Sequence, residues 1–232
     1  MFHPVKFALY LVAFVLAALL LPFLFPGAGK QEGVYPNANL PWQITLDGQG
    51  GSTVFALKPG VSTLAEARRI FGADVQIAII ARPDEEGTLE AYFAQVPLGF
   101  VLARVVLTLE ADAAKVTAMR ERAVKAEHME STTRKITLHA DDLAAAESLP
   151  IRAIAIIPTV NLDEMTVVQR FGQPGERLAV SDKRVHLLYP DKGLDVTVDA
   201  DGKELLQYVA PRNFAWLREP LTKAAVENQA GR

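Results

Sequence analysis

The hydrophobic pattern divides the chain sharply. From Phe7 to Phe25 it reads FALYLVAFVLAALLLPFLF, and no charged residue occurs between Lys6 and Lys30. A segment apolar on every face at a terminus predicts a membrane-spanning helix of about 30 Å, the thickness of the hydrocarbon core. Pro22 sits near one end, where a kink is tolerable. Signal-peptide cores are shorter, at about 7–15 residues, and Pro26-Gly27-Ala28-Gly29 is no clean cleavage site. The pattern therefore predicts an uncleaved single-pass signal-anchor over residues 7–29, behind a cytoplasmic tail over 1–6. Lys6 on the N-terminal side gives an N-in orientation by the positive-inside rule. The rest of the chain is then expected on the periplasmic or extracellular side of an inner membrane, with lipid as the partner of the N-terminal helix.

Beyond the anchor the pattern becomes mixed. Residues 30–41 are rich in Gly, Pro and Asn and read as a linker. Trp42 to Leu46 alternates, Asp47-Gly48-Gln49-Gly50-Gly51 reads as a hairpin loop, and Thr53 to Leu57 continues as a strand. Two segments resemble each other. Phe55 to Gly72 reads FALKPGVSTLAEARRIFG, and Ile154 to Gly172 reads IAIIPTVNLDEMTVVQRFG. Pro59 answers to Pro158, Val61 to Val160, and Phe71-Gly72 to Phe171-Gly172, with one residue gained in the helix of the second copy. Each copy predicts a strand, a Pro-containing turn, a short helix and a Phe-Gly stop. Ser62 and Asn161 are the expected N-caps, and Gly72 and Gly172 the expected helix terminators. Leu64, Ala67, Ile70 and Phe71 share one helical face, as do Met165, Val168 and Phe171.

Strands are predicted after each helix. They are Val75–Ala81, Leu89–Gln95 and Val101–Leu109 in the first copy. In the second they are Glu176–Val180, Arg184–Tyr189, Leu194–Val198 and Glu204–Val209, the last two joined through Asp201-Gly202. Between the copies, Asp112 to Met129 reads as a helix and Arg134–His139 as a strand, and Asp141-Asp142 reads as the cap of a short helix to Leu149. The expected fold class is α+β: a transmembrane helix followed by two tandem helix-plus-antiparallel-meander repeats. Repeat one spans 42–110, an inserted helix-strand-helix connection 111–150, repeat two 151–217 and a tail 218–232. Phe214, Trp216 and Leu217 are expected to dock on the body, and 221–232 to fray.

Charge and composition exclude several function classes. Lys6 is the one basic residue ahead of the apolar run, so residues 30–232 carry a net charge of −4. An acidic body is a poor match for nucleic acid, which needs a basic surface to displace counterions. The chain has no Cys, which removes thiol catalysis, cysteine zinc sites and lipidation at cysteine. Four histidines are present: His3 beside the anchor, His128 at the end of a charged helix, His139, and His186 on a predicted strand as a surface or half-buried residue. No H-E-x-x-H and no G-x-S-x-G occurs. Gly48–Gly51 leads into a strand, so it cannot cradle phosphate as a loop opening a helix does. Ser52 lies in that loop and Ser62 reads as a cap. Asp199-Ala200-Asp201-Gly202 lacks the acidic twelfth position of a calcium loop, which here is Ala210. Asp84, Glu85 and Glu86 read as a solvated turn, and Lys115, Arg120, Arg122 and Lys125 as a solvated helix face. No catalytic, cofactor-binding or metal-binding residue is assigned.

The turn Gly60-Val61-Ser62, the stop Phe71-Gly72, and Asn161-Leu162 with Phe171-Gly172-Gln173-Pro174 resemble the SmpA/OmlA-type small domain of outer-membrane assembly lipoproteins. Tandem copies of a similar unit form the β-lactamase inhibitor protein fold. The chain departs from the lipoprotein pattern in having no lipidation cysteine. As a whole it resembles proteobacterial single-pass membrane proteins. A duplicated α+β unit without catalytic residues, tethered near a membrane, points to a non-enzymatic, membrane-anchored envelope protein that binds a protein partner or acts as a scaffold. Two further readings remain. An inhibitor-like clamp on an envelope enzyme requires exposed aromatics, Tyr92, Phe93 or Tyr189, on one surface. An enzyme with an unrecognised site would centre on His139 and Asp141-Asp142.

Overall fold

The computed structural model describes residues 40–83, 85–99, 101–129 and 133–230. In chain order the strands are β1 (Thr45–Leu46), β2 (Ser52–Thr53), β3 (Gln76–Ala81), β4 (Thr88–Leu98), β5 (Val101–Leu109), β6 (Lys125–His128), β7 (Arg134–Thr137), β8 (Ile151–Pro158), β9 (Glu176–Ala179), β10 (Arg184–Tyr189), β11 (Leu194–Asp199) and β12 (Leu205–Tyr208). The helices are α1 (Leu64–Phe71), α2 (Ala113–Glu121), α3 (Ala140–Ala146), α4 (Glu164–Phe171) and α5 (Ala215–Ala230). β1 and β2 form a separate hairpin. The other ten strands form one antiparallel sheet in the order β6-β7-β3-β4-β5-β8-β12-β11-β10-β9.

This corrects the expected fold class. The described residues are one large antiparallel sheet carrying five helices, not two tandem α+β repeats behind a membrane helix. The reason lies in β8. It pairs with β5 along one edge and with β12 along the other, so ladder hydrogen bonds run without a break from one meander into the next. The single-pass, signal-anchor description is corrected as well. The expected anchor over residues 7–29 lies outside the described residues. Among those described, no helix is long and apolar enough to cross a membrane. The longest, α5, has 16 residues, contains Pro220 and carries charges along its length.

Both short helices that end at Phe-Gly do form, but their caps differ from expectation. Thr63 caps α1 in a capping box, taking the Glu66 N–H while the Glu66 carboxylate takes the Thr63 N–H at 2.8 Å. Asp163 caps α4 and accepts from the Thr166 N–H at 2.7 Å. Ser62 Oγ instead accepts from the Lys58 N–H at 3.1 Å, and Asn161 accepts from Lys203 at 3.2 Å. Both helices have eight residues, so the extra residue of the second copy lies in the loop before the cap. Gly72 and Gly172 stop the helices at φ of 108° and 85°, where a side chain would be strained.

Two further expectations fail locally. Thr53 to Leu57 does not stay extended: Phe55 and Ala56 adopt φ of 54° and 58°, and Val54 bridges to Leu57 across the turn. That left-handed turn is costly for non-glycine residues. It drives Phe55 into the core, edge-on to Phe71 at 6.0 Å and to Tyr208 at 5.8 Å. Asp112 to Met129 is not one helix, because α2 stops at Glu121 and the chain returns as β6 to pair with β7. The C-terminal residues to Ala230 belong to α5.

The two faces of the sheet are covered unequally. Leu187, Val196, Leu206, Ile156, Val105, Ala91 and Ile79 point to one face. They share a core with Leu64, Ala67 and Phe71 of α1, Val116 and Met119 of α2, Ala146 of α3, and Val167 and Phe171 of α4. The opposite face carries Leu188, Val209 and Ala153, and there Phe214, Leu217 and Leu221 of the C-terminal segment pack. That helix covers the half of the sheet around β10 to β12. Over β3, β4 and β5 the same face has no helix among the described residues.

Candidate functional site

The residues weighed for chemistry in the sequence are held in structural roles. His139, rather than Asp141 or Asp142, is the N-cap of α3: its Nδ1 accepts from the Asp141 N–H at 3.4 Å. Asp142 is buried and takes two bonds from Arg122, at 2.5 and 3.3 Å. His139 and Asp141 are thus close because they form a cap. His128 is exposed on the edge strand β6. Asp84 and His3 lie outside the described residues. Glu85 and Glu86 are exposed, and their backbone carbonyls accept from Arg120.

Asp199 pairs with Arg184 at 2.6 Å and takes the Asp201 N–H, which makes a turn and not a calcium loop. Asp47 closes the glycine hairpin by accepting from the Gln49 and Gly51 N–H groups, both at 2.8 Å, and pairing with Lys58 at 2.5 Å. The Lys58 ammonium and those two N–H groups hold its carboxyl well below the usual carboxylate range. The basic residues expected on one helix face are distributed: Arg122 on Asp142, Lys125 on Glu127 in β6, Arg120 on carbonyls. Among the described residues no group of three or more His, Asp or Glu could hold a metal ion.

The strongest polar cluster was missed. His186 is buried, not half-exposed, and so are Asp195 at 0% and Thr197 at 6%. His186 Nδ1 lies 2.8 Å from Asp195 Oδ2 and 3.3 Å from Thr197 Oγ1. The composition suggests a nucleophile-base-acid triad, and the geometry excludes one. A relay needs the acid on one ring nitrogen and the nucleophile on the other. Here both partners meet Nδ1, so the imidazole has no path between them. The cluster satisfies buried polar groups on the face beneath α5 and has no catalytic geometry. The sequence signal was available: Asp195 and Thr197 alternate with Val196 and Val198 on β11, and Thr197 pairs with His186. Glu204 is also buried, and its Oε2 has no hydrogen-bond partner.

The remaining candidate is the uncovered part of the sheet face. Ladder registers place Gln76, Tyr92 and Val106 in one row across β3, β4 and β5, and Ala78 and Glu90 in the next. With Ile80, Lys135, Met129 and Thr133 these residues line a hollow of about 340 Å³. Its wall comes from the end of the β6–β7 hairpin, where the Met129 N–H donates to the Thr133 carbonyl at 3.0 Å. Partial burial pushes the Glu90 carboxyl up, and a bond from Thr88 Oγ1 at 2.8 Å opposes that rise. Tyr92 is half-buried on this face, whereas Phe93 and Tyr189 are core residues at 1% and 2% exposure. Of the three aromatics named for an inhibitor-like clamp, Tyr92 alone therefore reaches the surface. The chain matches no family model, no curated protein and no solved structure.

Proposed function

We propose that this is a non-enzymatic protein-binding module that receives its partner on the uncovered sheet face, with Tyr92 at the centre of the contact. One observation carries the reading. Four helices pack on one face of the sheet and α5 on part of the other, and the stretch without a helix holds a hollow with an aromatic and two aliphatic side chains, Ile80 and Val106, beside polar ones. Aromatic side chains in such positions dominate binding energy at protein interfaces, while rim charges such as Lys135 and Glu90 set partner choice. The polar groups that the sequence singled out for chemistry serve as caps, in ion pairs or in turns, which supports a binding role.

The test places a photo-crosslinking side chain at position 92 of the full chain in its native cells, with a control at the exposed Thr222 of α5. Position 92 should capture one consistent protein. Tyr92→Ala, with a crosslinker at Val106 instead, should lose that capture while the melting temperature changes by no more than a few degrees. Recovery of no partner, or equal recovery from position 222, would count decisively against the reading.

A further inference from the structure

A second concavity lies on the helix-covered face and owes nothing to the reading above. It is a slot of about 110 Å³ between α4 and the centre of the sheet. Its floor is made by Leu98, Ala103, Ile156, Leu206, Val167 and Phe171, all buried. The space exists because of Ala103. Along β5 the other residues buried on this face are Val105, Leu107 and Leu109, so one small residue leaves a gap in an otherwise filled row. The mouth carries Val160, exposed at 45%, together with Trp42 and Arg170. Trp42 is pinned there because the buried Tyr208 hydroxyl donates to the carbonyl of its neighbour Pro41 at 3.0 Å.

Arg170 is the one charged residue in the lining. Its guanidinium carbon lies 4.7 Å over the centroid of the Trp42 ring, a cation–π contact, and the group makes no ion pair among the described residues. The acids nearest it along α4 are engaged, Glu164 with Arg177 at 2.9 Å and Asp163 with the Thr166 N–H. A cation–π contact uses none of the five N–H donors of a guanidinium, whose fork geometry matches a carboxylate. An apolar cavity of about 150 Å³ holds one benzene, so this slot has room for roughly four carbons. Four carbons is the side chain of leucine or isoleucine. An aliphatic side chain with a free carboxylate beside it describes the last residue of a polypeptide.

We propose that this slot binds the C-terminus of a partner polypeptide ending in Leu, Ile or Val, with the side chain over Ala103 and the terminal carboxylate on Arg170.

The test titrates the full chain with a labelled hexapeptide ending in Gly-Leu and read by fluorescence anisotropy. The free-acid peptide should bind saturably at one site. Its C-terminal amide, and a peptide ending in Asp, should each bind at least tenfold more weakly. Arg170→Gln should weaken the free acid tenfold or more while leaving the amide unchanged, a split that general loss of structure cannot produce. Ala103→Leu, which fills the slot and should fold at least as well, should abolish binding. Equal affinity for acid and amide, undiminished binding by Ala103→Leu, or no saturation up to millimolar peptide would overturn the proposal. So would binding that appears only after the residues before Pro36 are removed, which assigns the slot to the chain's own N-terminal segment. Self-association that Arg170→Gln abolishes, without peptide binding, would assign it to a second copy.

Discussion

Replacing His186 by leucine tests whether the buried cluster is structural. The two side chains have similar volume, so the change removes an imidazole without opening a cavity. It takes the His186 hydrogen bond away from the Asp195 carboxyl, which is 0% exposed. Leaving a buried acceptor without its partner costs about 1–3 kcal/mol, because the group stays desolvated and has lost its bond. A body of this size has a stability of about 5–15 kcal/mol, and each kcal/mol moves the midpoint by about 2–4 °C. His186→Leu should therefore lower the melting temperature by roughly 2–12 °C. Adding Asp195→Val to that background removes the stranded carboxyl. The double variant should regain about 1 kcal/mol, although Asp195→Val alone is destabilising because it leaves His186 with Thr197 as its one remaining partner among the described residues. The assay is equilibrium urea unfolding of the four proteins of the cycle, with the slope checked for constancy. A cost below about 1 kcal/mol for His186→Leu, or no rescue by the second change, would refute the assignment of a closed, water-free pair.

Two other predictions follow from local geometry. Thr63→Ala and Asp163→Ala should each cost about 1 kcal/mol in urea unfolding, as lost N-caps do, whereas Asn161→Ala, which holds a surface contact with Lys203, should change stability by less than about 0.5 kcal/mol. At high pH, Tyr189 is pushed up to about 12, chiefly by burial with the Glu164 charge adding to it, and burial alone raises Tyr208 well above its usual value. Folded values above the unfolded value of about 10 mean that their stabilising contribution is full below that pH and is lost as pH rises through the folded values. Absorbance at 295 nm should therefore show two of the five tyrosines ionising late, together with loss of structure, and reversible ionisation of all five near pH 10 would contradict their burial.

Strand positions were readable where alternation is strong. Val101–Leu109 and Arg184–Tyr189 were placed with the bounds the structure gives to β5 and β10. Both helices stop at their Phe-Gly pairs for the reason read from the sequence, since glycine alone accepts the φ found there without strain. The failures have a common cause in competition between local preference and distant partners. Ala123 and Ala126 fit a helical period, yet Lys125–His128 pairs with β7 as a strand and so covers the outer backbone edge of β7. Phe55 reads as a strand residue and turns instead, because an aromatic pocket formed by Phe71 and Tyr208 lies to one side of its path. Neither partner is adjacent in sequence.

The candidate site was hidden by the same logic, and one row of the sheet shows why. Gln76, Tyr92, Val106, Ala155, Gln207, Asp195, Leu188 and Glu176 are successive cross-strand neighbours on a single face. Alternation along each strand predicts that they share that face. It cannot predict that Gln76 is exposed and Tyr92 half-open while Asp195 is fully buried. That difference comes from α5, which starts after the last strand and lays Phe214, Leu217 and Leu221 over one end of the row. Where the helix lies, polar residues must find partners, and His186, Asp195 and Thr197 do so by closing on one another. Where it does not, Tyr92 and Val106 keep their outer surfaces, and that bare end is the surface on which we propose a partner is received.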